Sequence, residues 1–592
     1  MRPPLRSTLL SAGCLGLAFG LGEVALRASP AQGLGAPDVV EWLAFSAAIS
    51  LGASLLIGAV AWAIGFRVRG LLEGTMIGVW ATINYRFEFV LNEFIRDPKV
   101  WGGMSVIFLA GVGIGLAVHP LVARFEKQLR IGALVLAGSA VAIALVRAEP
   151  TAGRPGSRPS VLIVSMDTVR FDHLSPYGRA IDTPHLQRLA DEGVVFDQAI
   201  ANAPITEPSH LAMFTGVAPY QSGVIANGTN LGDRPALIWR TLKDAGYLTG
   251  GFVSGFPLHG KYGWNQGMDV YDDDFGAVGG VQDLTLVKGW NQFAIKEHAL
   301  RERPAHQVLA RAVPWLRANR DNEFFAFVHF YDAHGPYEAP ANVELGPPPT
   351  DGTPLDLPFY WPAPSRKITS VDWLTKAYDK EIELVDDAIG QLLDAIGPRL
   401  DNTLVIITAD HGESLTEHDY YFDHGDDLYD PSLRVPMIVR YPKLAKAGSR
   451  VACQSAGVDI APTVLAVVGI DDGHARAGRA RMAELAGELC AEEPVVASTV
   501  SGRMVEVPPI SHALRARAEK IILADDKPPE AYDLADDPAE ADNVYPSERA
   551  LLAETALKGL LEKKGTVLTA ENDAETQSAL EALGYLEGDP AP

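Results

Sequence analysis

A few acids, histidines and one threonine stand where their types and spacing could do chemistry. Two short apolar runs end in aspartate: VLIVSMD closes on Asp167, and LVIITAD closes on Asp410 with His411 directly after. Such runs read as strands, and in open α/β sheets ligands bind outside the carboxyl ends of the strands. An apolar strand gains nothing for its core from a terminal Asp or Asp-His. A metal site built from Asp167, Asp410 and His411 is therefore expected, with a helix cap or a turn as the plain alternative. Carboxylate oxygens with an imidazole suit zinc or manganese, whereas calcium and magnesium prefer all-oxygen shells. A divalent cation is expected as cofactor, with zinc favoured over calcium, manganese or magnesium.

Thr206 lies in the stretch PITEPSHLAMFTG. Proline is favoured in the first helical turn, so a helix is predicted to start near Pro208 with Thr206 at its mouth. A helix N-terminus offers amide N–H groups and the positive end of a dipole to an anion. Thr206 is then either a cap or a nucleophile. A threonine hydroxyl attacks at neutral pH only when a metal or base draws off its proton, and the Asp167/Asp410/His411 cation is placed to assist. His334 in DAHGPY and His424 in YFDHGDDLYD each follow an aromatic strand or loop. A lone histidine is usually structural, but two beside glycines at one expected edge suggest a second cation or a clamp on an anionic group.

The elements that must position these residues alternate. TPHLQRLADEGVVF and LIWRTLKDAGYLTGGFVSG each read as a helix leading into a strand. FFAFVHF, YDKEIELVDDAIGQLLDAIG and TLVIITA read as a strand, an amphipathic helix and another strand. Strands alternating with helices imply an α/β fold with a mostly parallel sheet and helices on both faces. A small α+β subdomain and a polar helical tail are expected to follow.

The first 150 residues or so differ in composition. Apolar runs near 9–26, 42–66, 101–123 and 131–146 approach the ~20 residues that cross a bilayer, and a fifth, near 71–94, is interrupted by Arg86, Glu88 and Glu93. Five spans place Arg2/Arg6, Arg67/Arg69 and the Arg124–Arg130 cluster on one side, as the positive-inside rule requires. The resulting expectation is a multi-pass inner-membrane protein whose catalytic domain is extracytoplasmic. The expected divisions are a transmembrane module at 1–148, a linker at 149–159, a catalytic core at 160–470 and a C-terminal subdomain at 471–592. A net charge of −24 over 592 residues argues against nucleic acid as partner. Three cysteines without a Cys-x-x-Cys make a thiolate zinc site implausible; Cys453 and Cys490 could pair in an exported domain, and their spacing leaves that open.

The motifs PSVLIVSMDTVRFDHLSPYG, APITEPSHLAMFTG, FYDAHGPYEAP, TLVIITADHGESLTEH and LRVPMIVRYP, in this order, resemble the sulfatase family of the alkaline phosphatase superfamily. The resemblance runs from about Ser160 to Pro442, and EAYDLADDPAEADN and LEALGYL resemble that family's C-terminal subdomain. It implies an alkaline-phosphatase-like fold, Asp167, Asp410 and His411 as metal ligands, and Thr206 as the metal-bound nucleophile. His334 and His424 would hold the transferred group or a second cation. Sulfatases of this type oxidise a Cys or Ser in Cys-x-Pro-Ser-Arg to formylglycine. Here Thr206-Glu207-Pro208-Ser209-His210 has neither that residue nor the arginine. Thr168 stands where many members have a second metal-binding Asp, VSGF replaces the Gly-Lys-Trp-His element, and no lysine occurs in HDYYFDHGDDLYD.

Formylglycine hydrate releases sulfate by elimination from a geminal diol, whereas a threonine ester must be broken by attack on the central atom. That route suits phosphorus better than sulfur. The expected function is a membrane-anchored, metal-dependent enzyme that cleaves a phosphate- or sulfate-type ester through a covalent Thr206 intermediate. Its partner would be an anionic ester, lipid- or glycan-linked. The alternatives are a phosphoethanolamine-type transferase acting on a lipid or glycan, and a non-catalytic binding domain.

Overall fold

The computed structural model describes residues 156–232, 236–275, 302–337, 345–358, 360–488, 490, 492–500, 509–566 and 576. Nine strands form the main sheet: β1 (Ser160–Met166), β2 (Val194–Ile200), β3 (Leu248–Phe252), β4 (Val270–Asp272), β5 (Phe324–Phe330), β6 (Thr403–Ala409), β7 (Arg434–Val435), β8 (Met437–Arg440) and β9 (Ser449–Ala456). Their order is β4-β3-β5-β1-β6-β8-β2-β7, with β9 also paired to β2. From β4 to β6 every pairing is parallel. β8 then runs antiparallel to both β6 and β2.

β1, β5 and β6 are buried at all seven of their positions. A parallel strand covered on both faces should read as an unbroken apolar run, as SVLIVSM and TLVIITA nearly do. Met166 pairs with Phe330 on one side and with Ala409 on the other. The register therefore brings Asp167 and Asp410, the next residues along, out of the sheet at one edge.

The long helix Val371–Ile396 begins where Ser370 accepts the amide of Trp373, and it ends at Gly397. Leu374, Tyr378, Ile382, Val385, Ile389, Leu393 and Ile396 recur every three or four residues and are all buried, giving the helix one apolar face. From that face Asp386 accepts the amides of His185 (3.0 Å) and Leu186 (2.7 Å), capping the helix Pro184–Glu192. Tyr378 donates to the Thr168 carbonyl at 2.7 Å and accepts the Arg170 amide at 2.9 Å. The long helix thereby holds the loop that follows Asp167.

A second, antiparallel sheet comprises β10 (Val495–Val500), β11 (Ile510–Arg515), β12 (Glu519–Ala524) and β13 (Glu530–Asp533). Its fastening is ionic. Lys520 lies 2.6 Å from both Asp430 and Glu540, and Arg515 lies 2.7 Å from Asp430. These charges are buried and mutually compensated, which favours one docking geometry even where the net stability gained is small.

The expected inner-membrane placement is corrected here. No helix among the described residues is long and apolar enough to cross a membrane. The longest, Val371–Ile396, carries acids along its outer face, and the most apolar runs are seven-residue strands. The five apolar segments on which the expectation rested fall within 1–148, outside the described residues.

Cys453, in β9, is bonded to Cys490, with 6.2 Å between their Cα atoms. The bridge spans 37 residues, a loop whose closure restricts the unfolded chain by about 3–4 kcal/mol. Cys453→Ser should lower the urea midpoint by a corresponding amount, with a somewhat steeper transition because the freed unfolded chain exposes more surface. An unchanged midpoint would show that the bridge does not stabilise the fold.

Candidate active site

The site is assembled around two carboxylates. Asp167 and Asp410 are fully buried at the ends of β1 and β6. Behind Asp410, Gly412 passes so close to the 430–433 turn that a Cβ would lie 2.0 Å from the Pro431 carbonyl oxygen. Only glycine fits there, and this close approach fixes the direction in which His411 leaves the sheet. His411 donates from Nδ1 to the Gly412 carbonyl at 2.9 Å, so the lone pair is on Nε2. That Nε2 lies 3.5 Å from Asp410 Oδ2 and 3.6 Å from Asp167 Oδ1.

These three atoms, Asp167 Oδ1, Asp410 Oδ2 and His411 Nε2, are buried without a hydrogen-bond partner among the described residues. The three residues offer ligand atoms within 4.8 Å of one another. Orphaned polar atoms in a dry site are costly. Burial pushes the Asp167 carboxyl up to about 6, although His411 pulls against it. Burial, and then the nearby Asp167, raises Asp410. Two carboxyls that resist ionising together, facing one imidazole lone pair, make a donor set that a divalent cation completes.

Thr206 opens a helix that runs from Thr206 to Thr215, two residues earlier than the predicted start near Pro208. Ile205 occupies the cap position and its own side chain makes no capping hydrogen bond. The chain is extended at Ile205 and turns helical directly, so Thr206 is already in the first turn. Its hydroxyl, fully buried, donates to Asp167 Oδ2 at 3.4 Å. Two neighbours in the same motif anchor the helix. Ser209 donates to the Asp410 carbonyl at 2.6 Å, and Asn227 accepts the Glu207 amide at 2.8 Å.

His334 and His424 join the same centre. The His424 ring lies 4.4 Å from that of His411 and 4.8 Å from that of His334, and His334 stacks on Tyr331 at 4.2 Å. His334 donates from Nδ1 to the Gly335 carbonyl at 2.7 Å. His424 places Nδ1 2.9 Å from Glu413 Oε1. All six residues singled out in the sequence therefore meet at one sheet edge.

Three contributors were not singled out from the sequence. His329, one residue before the end of β5, lies opposite Ser165 and sets Nε2 3.1 Å from Asp167 Oδ2. Its signal was a histidine inside an otherwise apolar strand. His210 uses both nitrogens, 2.8 Å from the Thr206 carbonyl and 3.0 Å from Ser165 Oγ. Burial lowers His210 to about 3 and His329 to about 4, so both are neutral at pH 7. Glu413 is the third; it orients His424 and accepts from Tyr337 at 3.3 Å. Thr168 adopts a left-handed backbone (φ 58°), unusual for a β-branched residue, and its hydroxyl donates to the Ala333 carbonyl at 2.8 Å. It does not take part in the carboxylate pair.

The sequence profile described as Sulfatase matches residues 159–470, more than half of the chain. The uncharacterized sulfatase YidJ of Escherichia coli K12 is 27% identical over 344 residues, covering 53% of this chain and 68% of that protein. An N-acetylglucosamine-6-O-sulfatase of Bacteroides thetaiotaomicron is 25% identical over 390 residues, with the same two coverages. Among solved structures, the phosphonate monoester hydrolase of Agrobacterium radiobacter superposes with a TM-score of 0.55 at 20% identity, over 69% of this chain and 95% of that one. The last shows a shared fold.

Elemental analysis of the purified chain should find about one divalent cation, and His411→Ala should weaken its retention more than tenfold. Equal metal content in both proteins would remove His411 from the donor set.

Proposed function

The chain belongs to the sulfatase family and is a hydrolase of that family, and from that premise we propose that Thr206 is its nucleophile and a phosphate-type ester its preferred substrate over a sulfate ester. The observation that carries the reading is the Thr206 hydroxyl, placed in the first turn of a helix and 3.4 Å from Asp167, beside three unpartnered donor atoms. We assign the chemistry to a core at 160–470, with 471–592 as an appended subdomain.

Asp167, Asp410 and His411 would hold the cation, zinc first. When bound, it supplies the positive charge that lowers a hydroxyl pKa and offsets charge on the equatorial oxygens of the reacting group. The protein does the rest. The hydrogen bond from Thr206 to Asp167 Oδ2 gives the hydroxyl proton an exit as Thr206 Oγ bonds to the central atom. The ester bond to the leaving oxygen breaks in the same displacement. His334, entering the step as an imidazolium with its Nδ1–H held by the Gly335 carbonyl, gives that oxygen the proton on Nε2 and is left with a lone pair there. Water then attacks the central atom of the threonyl ester, passing a proton to the Nε2 lone pair of His334, and the departing Thr206 Oγ takes back its proton from Asp167 Oδ2, so the acid is released and both groups are restored. His424, oriented by Glu413, holds an oxygen of the transferred group, and the amide end of the Thr206–Thr215 helix favours its negative charge.

Threonine cannot be converted to formylglycine, so release by elimination from a geminal diol is closed to this chain. Attack on the central atom remains, and it favours phosphorus. The neutral His210 occupies the place of the motif's arginine. One fixed positive charge available to a sulfate-type group is therefore absent from this helix.

Two measurements test the reading. Thr206→Ala should lower kcat/KM on aryl phosphodiesters by on the order of 10³-fold or more with metal content unchanged; full activity would end the nucleophile assignment. His334→Ala should slow alkyl esters by about 10²-fold while leaving 4-nitrophenyl esters, whose leaving group needs no proton, nearly unaffected. An equal loss on both would assign His334 to positioning instead.

A further inference from the structure

Each carboxylate oxygen of Asp167 faces an imidazole. His411 Nε2 stands 3.6 Å from Oδ1, and His329 Nε2 stands 3.1 Å from Oδ2. The two rings carry their protons differently. His411 keeps its proton on Nδ1, which donates to the Gly412 carbonyl, and so turns a lone pair toward Oδ1. His329 meets an oxygen that, in an ionised carboxylate, can only accept, so its proton sits on Nε2. Its Nδ1 is buried with no hydrogen-bond partner among the described residues. A proton on Nδ1 would strand a buried donor there and set two acceptors against each other at Oδ2, whereas on Nε2 it satisfies Asp167.

The surroundings fix the ring in that attitude. His329 is fully buried, and the register sets it opposite Ser165, two residues before Asp167. The Ser254 hydroxyl donates to the His329 carbonyl at 2.9 Å. His210 meets the ring edge-on, with 5.1 Å between centroids, and a Cβ on Gly255 would lie 3.4 Å from His329 Cε1. A histidine inside a buried strand gives up packing that an apolar residue would supply, and its polarity is used on Asp167. Oδ2 also accepts the Thr206 hydroxyl at 3.4 Å. An N–H and an O–H thus converge on Oδ2, while Oδ1 has no hydrogen-bond partner among the described residues.

We propose that His329 is a positioning residue for Asp167: its Nε2–H holds Oδ2 beside Thr206 and leaves Oδ1 to the cation. The inference rests on the reading of Asp167 as a metal ligand and of Thr206 as the nucleophile. His329 keeps its proton throughout. The proton that leaves Thr206 goes to Oδ2, on the lone pair that His329 does not occupy, and returns from there. Without the N–H, the carboxylate is free to turn about its Cβ–Cγ bond and offer either oxygen to the cation, and Thr206 loses a fixed proton acceptor.

The test uses the full chain loaded with zinc and two substitutions of similar size. His329→Gln supplies a side-chain N–H to Oδ2, and His329→Leu supplies none. On 4-nitrophenyl phosphodiesters His329→Leu should lower kcat by about 30-fold with KM within about twofold of the wild type, and should hold zinc about tenfold less tightly against a chelator. His329→Gln should restore both to within about threefold of the wild type, a rescue that a packing role would not give. Equal losses in the two variants, or wild-type kcat and zinc retention in His329→Leu, overturn the inference. The tautomer is read on the unsubstituted protein by isotope labelling of the histidine nitrogens: an exchange-protected Nε2–H signal should vanish in His329→Gln. Loss of an Nδ1–H signal instead overturns the inference, and this readout stands even if His329→Leu does not fold. Thr206→Ala separates the two readings. Full activity in Thr206→Ala with zinc lost from His329→Leu ends the nucleophile assignment alone; an inactive Thr206→Ala with an unaffected His329→Leu ends the positioning role alone.

Discussion

Asp167 and Asp410 directly follow neighbouring parallel strands, and the register that pairs Met166 with Ala409 leaves their carboxylates side by side and fully buried. Two like charges so placed oppose their own ionisation, and burial alone already disfavours it. Everything packed around them answers that cost. His411 turns a lone pair toward both carboxylates, His329 approaches the second oxygen of Asp167, and the Thr206 hydroxyl donates to the same atom. What remains is three donor atoms without hydrogen-bond partners among the described residues. Asp167, Asp410 and His411 could hold a divalent cation there.

The helix opened by Thr206 is the second dependent feature. All ten of its residues are buried, so it behaves as a core element that ends at the reacting centre. Ser209 ties it to the Asp410 backbone, and His210 reaches from its second turn to Ser165 on β1. The Thr-Glu-Pro-Ser-His stretch therefore joins both acid-bearing strands to a single helix end. Replacing an arginine by a neutral histidine removes a charge from that core without opening a hole.

Much of this was legible from residue order. The apolar runs read as buried parallel strands because parallel strands are covered on both faces, and an Asp at the end of such a run has no packing role. The pairing of Thr206 with the two strand-end acids was also legible, since helix mouths and strand ends meet at one edge of an α/β sheet. The helix start was misplaced by two residues because proline marks the first turn without fixing which of its positions it fills. His329 and His210 were passed over as core histidines, and each is one: buried and neutral. Their meaning lies in which carboxylate or hydroxyl they face across the sheet.

Local pattern determined the elements, their order and the residue types capable of chemistry, because hydrophobic periodicity and turn chemistry act over a few neighbours. Only the tertiary structure decided that Asp167, Thr206, His334, Asp410, His411 and His424 share one centre, since strand register and crossover connections bring together residues more than two hundred positions apart. It also decided that Cys453 meets Cys490, that Thr168 turns away to the Ala333 carbonyl, and that Arg303 spends its charge on Asp272. Each outcome depends on the direction a side chain takes from its backbone, and that direction is set by packing against partners distant in sequence.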